Sequence, residues 1–310
     1  MSEFPLLRLP ALALNEVLKA YSPRENSFVF RIMVSLCSKR TTRHITQSLY
    51  TSEKVNLVLD LRQGSVHLSS QYDRFDIDIH INSPHNLESY NVERSFTIAE
   101  HSVPTVFEGT LERYSMITFW NSLPEGLRFI AAHLSRVFKC QIDNVTSSVS
   151  NTLFQNTLSG LIEENVEIKK LKIKGENLDE EWLKEVLKKL KVTEELTIST
   201  ILNQNFKPEF GFWPERLKIR HSQWFTRDIL VTSTSASIKL ENSFMDDRVV
   251  VKILEDWKTG SLANLKCLII NSSNFGAQST IVNAVEIQSD NGVTASIKLI
   301  ENQFQMIVYN

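Results

Sequence analysis

The sequence is short of glycine, of cysteine and of any basic excess, and each shortage removes a class of function. Nine glycines in 310 residues leave little material for phosphate-cradling loops, and neither G-x-G-x-x-G nor a Walker loop occurs. The three cysteines, Cys37, Cys140 and Cys267, are far apart, odd in number and form no CxxC pair. A zinc ribbon or a redox motif therefore has no ligands here, and buried thiols in a reducing compartment are expected. The formal net charge is −2 and the pI about 6.4, whereas a nucleic-acid binder carries a basic excess or stripe. The most basic stretch, Ser38-Lys39-Arg40-Thr41-Thr42-Arg43, is short. No apolar run approaches the ~20 residues that span a bilayer. At the amino terminus Glu3, Arg8, Glu16 and Lys19 interrupt what would have to be a continuous apolar stretch in a signal peptide. The expectation is a soluble intracellular protein, cytoplasmic and/or nuclear, with no nucleic-acid and no membrane partner, in which the sequons at Asn144 and Asn271 are chance matches.

Catalytic signatures are missing in the same way. There is no G-x-S-x-G elbow and no H-E-x-x-H. Lys258-Thr259-Gly260 matches the K-T-G of penicillin-binding enzymes, but the S-x-x-K that must supply the nucleophile occurs nowhere, and Gly260 is read more simply as a helix stop. Asp76, Asp78, His80 and Asn82 share one face of a strand, yet Phe75, Ile77, Ile79 and Ile81 on the other face make this the ordinary pattern of a half-buried strand. His133 lies in an amphipathic helix at a boundary position. No enzyme activity, no cofactor and no metal site is expected.

The sequence has clear periodicity instead. Residues 4–50 read as helical: Leu9-Pro10 gives an extended lead-in, and Leu14, Val17, Leu18 and Tyr21 fall on one helical face. From Lys54 the period changes to 2. Val55, Leu57, Leu59 and Leu61 alternate with Asn56, Val58, Asp60 and Arg62, a hairpin at Gly64 leads to Val66 and Leu68, and Gly126–Lys139 returns to a helix. Between 165 and 275 a short strand-like motif recurs. Ile168, Leu171 and Ile173 hold its positions 1, 4 and 6; Leu196 and Ile198, Leu217 and Ile219, and finally Leu265, Leu268 and Ile270 repeat them, with Ile238-Lys239-Leu240 as a copy in the gap. Helices lie between: one carries Leu178, Trp182, Leu183, Val186, Leu187 and Leu190, with a capping box at Asn177 and Glu180, and another carries Val250, Ile253, Leu254 and Trp257. A strand plus a helix every twenty-odd residues is the pattern of a leucine-rich repeat, here degenerate. The acidic-basic run from Glu163 to Glu195 reads as solvated surface. Ala284–Gln288, Thr294–Ile300 and Phe304–Tyr309 form a meander, with Asn291-Gly292 and Glu301-Asn302 as its turns.

Two groups of residues carry a resemblance. Phe4-Pro5-Leu6-Leu7-Arg8-Leu9-Pro10, then Leu14, Glu16-Val17-Leu18-Lys19, Pro23 and Ser35-Leu36-Cys37-Ser38-Lys39-Arg40-Thr41, resemble an F-box of the large nematode-type family. His133-Leu134, Val137-Phe138-Lys139-Cys140 and the stretch Leu240–Ile270, with Trp257-Lys258, Gly260, Leu265 and Leu268, are similar to the F-box-associated type 2 domain of the same proteins. Pro23 and Ser35 stand farther apart than in that family. The added segment lies within 26–34, and unless it loops out it rotates the downstream helical face away from the upstream one.

The resemblance implies an α/β chain in three parts: an all-helical F-box at 4–50, a strand-rich α+β segment at 51–150, and an irregular leucine-rich-repeat-like strand–helix stack at 151–310. It also implies a function, that of substrate receptor in an SCF-type ubiquitin ligase. A Skp-family adaptor, and through it a cullin-based ligase, would bury Leu6, Leu7, Leu9, Pro10, Leu14, Val17, Leu18 and Leu36, and the carboxy-terminal domain would bind an unknown protein substrate. The alternative is a protein-interaction module without ligase coupling.

Overall fold

Period-2 alternation builds the first strands seen in the computed structural model, which describes residues 35, 55–70, 76–90, 94–98, 101–109, 113–146, 151–175, 178–276 and 284–309. Apart from Ser35, the helical module expected at 4–50 lies outside the described residues, as does Cys37. The chain divides into two compact units, 1–166 and 167–310.

In the first unit Val55–Asp60 (β1) and Ser65–Ser70 (β2) pair antiparallel, with Leu57 opposite Leu68 and Leu59 opposite Val66. Gly64 makes the turn at φ +64°, a left-handed value that costs glycine little. Asp76–Asn82 (β3), Arg94–Ile98 (β4), His101–Gly109 (β5), Arg113–Phe119 (β6) and Ile142–Thr146 (β7) complete a sheet of order β7-β1-β2-β3-β6-β5-β4. The β1–β7 and β3–β6 pairs are parallel and the others antiparallel. Leu57, Leu59, Val66, Leu68, Ile77 and Ile79 are all buried, and helix Leu123–Phe138 (α1) packs on β1, β2 and β3. That helix begins three residues before the expected Gly126, because Pro124 fits the first turn, where its missing N–H is no loss.

A helix at Asn151–Glu163 (α2) packs against α1 and has no counterpart in the sequence reading. Its Asn, Thr, Ser and Gly content argues against a helix on propensity alone. Burial of Phe154, Leu158 and Leu161 against the neighbouring helix overrides that preference.

The second unit starts with Ile168–Ile173 (β8), Glu180–Lys189 (α3), Val192–Ile198 (β9) and Arg216–Ile219 (β10). Arg227–Val231 (α4), Ser237–Ser243 (β11), Asp247–Lys258 (α5) and Cys267–Ser272 (β12) follow. The five strands are parallel and lie in chain order. Their register puts Leu171, Leu196, Leu217, Ile238 and Leu268 in one row, and Ile173, Ile198, Ile219, Leu240 and Ile270 in the next. All ten are buried. The alternation is incomplete, since only the five-residue α4 stands between β10 and β11. Leu171 and Leu196 meet Val186, Leu187 and Leu190 around a void of about 10 Å³, barely the space one water needs, so α3 is packed tightly on this face.

Helix α3 is capped differently from the expectation. Asp179, one residue before the helix, accepts hydrogen bonds from the Glu181 and Trp182 amides at 2.9 and 3.4 Å. Asn177, expected as the cap, lies outside the described residues. Gly260 ends α5 at φ +90° just past the Thr259 cap, as its reading required. Val285–Gln288 (β13), Thr294–Ile300 (β14) and Gln303–Tyr309 (β15) form the expected meander, with Gly292 at φ +83° and Glu301 at φ +51° in the two turns. Strand β15 pairs antiparallel with β12, giving the order β8-β9-β10-β11-β12-β15-β14-β13. Cys140 and Cys267 are half-buried rather than buried: Cys140 follows the end of α1, and Cys267 precedes the buried Leu268 on β12 and so points the other way.

Candidate functional site

The second sheet faces two ways, and its two faces are chemically opposite. Side chains alternate along a strand, so the residues flanking each buried pair point to the other side. These are Lys170 and Lys172 of β8, with Lys174 just past its end; Glu195 and Thr197 of β9, with Ser199 just past its end; Arg216 and Lys218 of β10, with Arg220 just past its end; and Ser237, Lys239 and Glu241 of β11. With Glu194 at its margin, this face carries seven cations and three carboxylates, a surplus of four positive charges on a chain whose net charge is −2. Register aligns Lys172, Thr197, Lys218 and Lys239 in one row across the strands. The row is the position between 4 and 6 of the recurring motif, so the sequence held the signal. Composition hides it, because the basic residues are spread over about seventy positions and diluted by acidic ones elsewhere.

The carboxylates organise the cations without neutralising them. Glu241 lies 2.9 Å from Lys239, 3.4 Å from Lys218 and 3.9 Å from Arg220. Desolvation pushes its carboxyl upward, but Lys239 and Lys218 together outweigh this and hold it below its ordinary value. Arg216 reaches Glu195 at 3.4 Å, and Lys170 reaches Glu194 at 3.8 Å. Among the described residues, neither Lys172 nor Lys174 has a carboxylate partner. Burial, then repulsion from Lys174, Arg220 and Lys218, lowers the Lys172 ammonium below the usual lysine range.

A second feature of the same unit is an open cleft of about 430 Å³ beside α4, walled by Phe206, Pro208, Phe210, Trp224 and Ile229 and rimmed by Asp228. Its apolar wall is continuous with the packed interior. Phe206 and Trp224 meet edge to face at 5.0 Å, and Phe210 stacks on Trp213 at 4.1 Å. Arg227 of α4 grips Asp256 of α5 with two hydrogen bonds, 2.7 and 2.6 Å, which ties α4, the helix beside the cleft, to α5.

The polar strand in the first unit is taken up by its neighbour: His67 Nδ1 of β2 lies 2.8 Å from Asp78 Oδ1 of β3. Among the described residues no three His, Cys, Asp or Glu side chains converge as a metal site. No helix among them is long and apolar enough to cross a membrane. The expected adaptor contacts, Leu6, Leu7, Leu9, Pro10, Leu14, Val17, Leu18 and Leu36, lie outside the described residues. Their neighbour Ser35 is helical and buried, with its hydroxyl 3.1 Å from His133 Nε2 of α1.

His133 has a pH signature. Burial of the ring, with Arg136 adding repulsion, lowers its pKa to about 4 from an ordinary 6.5. The unfolded chain therefore binds a proton between those values that the folded chain does not, so folding stability falls as pH drops from 6.5 toward 4. His133→Gln is expected to lose about 2 kcal/mol less than wild type between pH 7 and pH 4.5, measured by urea denaturation at both. Equal losses in the two proteins would show that His133 is not the titrating group.

No curated protein and no solved structure matches the chain. Residues 197–270, which hold β10, α4, β11, α5, much of β12 and part of the cationic face, match the F-box-associated family.

Proposed function

We propose that this chain is the substrate receptor of an SCF-type ubiquitin ligase, whose amino-terminal segment docks on a Skp-family adaptor and whose carboxy-terminal unit holds the target. The match of residues 197–270 to the F-box-associated family carries this reading. The F-box-like motifs from Phe4 to Thr41 supply the coupling end. The five in-register parallel strands, read as a leucine-rich-repeat-like stack, supply a broad rigid surface of the kind that repeat proteins use for binding. The receptor performs no bond chemistry and needs no cofactor; it raises the effective concentration of a bound target near the conjugating partner of the ligase.

Co-purification with the adaptor tests the reading. Wild type is expected to retain adaptor, and Leu9→Ala/Pro10→Ala to weaken retention by more than about tenfold, as truncation of buried interface anchors does. A well-folded wild type that retains none would overturn the reading in favour of an interaction module without ligase coupling. Two observations favour that second reading: the extra residues within 26–34, and the turning of Ser35, first residue of the S-L-C-S-K-R-T motif, onto His133 of its own chain.

A further inference from the structure

We infer that the outer face of β8–β11 binds an extended, carboxylate-rich segment of a target protein, laid across the strands on Lys172, Lys218 and Lys239 with Arg216 and Arg220 beside them. The inference rests on the reading of the carboxy-terminal unit as the recognition domain, and it names the chemistry of what that unit recognises.

Charge complementarity is the first argument. Seven cations against three carboxylates leave the face with a surplus of four, on a chain that is otherwise acidic. A surface patch of mixed charge normally settles into neutral pairs. Here three cations crowd one carboxylate, Glu241, and Lys172 and Lys174 meet each other instead of an anion. An arriving carboxylate therefore relieves the repulsion at Lys172 and Lys174 and shares Lys218 and Lys239 with Glu241, which three cations surround.

Geometry is the second. Neighbouring strands lie about 4.8 Å apart, so the Lys172, Lys218 and Lys239 positions span about 14 Å across four strands. An extended peptide presents same-side side chains about every 6.8 Å, and three such side chains cover that distance. Flexible lysine stems absorb the remaining mismatch. Between Lys172 and Lys218 the row crosses β9 at the short, buried Thr197, which leaves room for a backbone to lie close to the sheet there; Glu195 stands in the neighbouring row, between Lys170 and Arg216.

The composition of the face argues against nucleic acid. No aromatic side chain points outward from β8–β11 to stack a base.

The test is fluorescence anisotropy on the purified full chain, without adaptor, using a labelled oligoglutamate peptide. A Gly-Ser peptide and a single-stranded DNA of equal length serve as comparisons. Wild type is expected to bind oligoglutamate at low ionic strength, to lose affinity as salt rises, and to ignore the Gly-Ser peptide. Lys172→Gln/Lys218→Gln/Lys239→Gln should weaken binding by about tenfold or more. Lys172→Gln alone, which relieves repulsion and so leaves the fold intact, should weaken it by about threefold. Removing as much charge from the helical side, in Lys188→Gln/Lys252→Gln/Lys258→Gln, should leave affinity within about twofold.

No binding by wild type would overturn the inference. So would equal losses in the two triple variants, which would mean net charge alone, or DNA binding that exceeds peptide binding and vanishes in the face variant. Because the adaptor is absent, failure here leaves the ligase reading standing, and failure of adaptor retention leaves this result standing.

Discussion

Trp224→Ala should cost the carboxy-terminal unit about 3–5 kcal/mol, the range for deleting a large buried aromatic, and lower its melting temperature by on the order of 10 °C. Trp224 is 1% exposed and lies between β10 and α4, where the strand–helix alternation lacks a full helix. Its indole fills that space with Phe206 at 5.0 Å and Phe225 at 5.6 Å, both themselves buried. Alanine leaves a cavity between the Phe206 and Phe225 rings, which are themselves packed in the interior, so the surroundings collapse little. Trp224→Phe should be far milder, about 1 kcal/mol. The buried Nε1 has no hydrogen-bond partner among the described residues, so its removal returns part of the penalty of an unpaired donor. Chemical denaturation of the three proteins checks both values. If phenylalanine proves as costly as alanine, the indole N–H has a partner, such as an ordered water, and the packing account is incomplete.

Gly211→Ala should destabilise the same unit by about 3 kcal/mol, for a steric rather than a conformational reason. A Cβ built at Gly211 would stand 1.9 Å from the Lys188 carbonyl oxygen and 2.9 Å from its carbon. Both belong to the backbone of α3, which cannot swing aside like a side chain. The close approach also serves a purpose. The Gly211 amide donates to the Leu187 carbonyl at 3.1 Å, satisfying an acceptor in the last turn of α3, and Lys188 pairs with Glu209 at 2.7 Å. This strap forms part of the cleft wall through Pro208, Glu209 and Phe210, so the variant should also admit protease at residues 207–213 before the unit unfolds globally. A measured loss below about 0.5 kcal/mol would mean that Gly211 does not approach the α3 backbone this closely.

Much of this architecture was legible because the periods are strong and local. The apolar-x-apolar copies at Leu171/Ile173, Leu196/Ile198, Leu217/Ile219, Ile238/Leu240 and Leu268/Ile270 predict strands, and their register confirms that the copies are equivalent positions. The Gly64 and Gly292 turns were readable because only a few residue types tolerate positive φ. The α2 helix was not readable, since its stability comes from burying Phe154, Leu158 and Leu161 rather than from its polar composition. The α3 cap was misplaced by two residues because Asn177 and Asp179 are both competent caps, and where the helix starts is settled by packing.

The sequence by itself determined which residues are apolar and at what period, and hence the strands, most of the helices, the turns and the absence of familiar catalytic signatures. It also carried every lysine and arginine of the cationic face. Only the tertiary structure decided that these form one surface. Lys172, Lys218 and Lys239 are tens of residues apart, and what brings them side by side is the parallel register of β8–β11, fixed by buried rows on the opposite face. Net charge averages over the chain and reads −2; the field at a surface depends on which charges the fold places within a Debye length of one another.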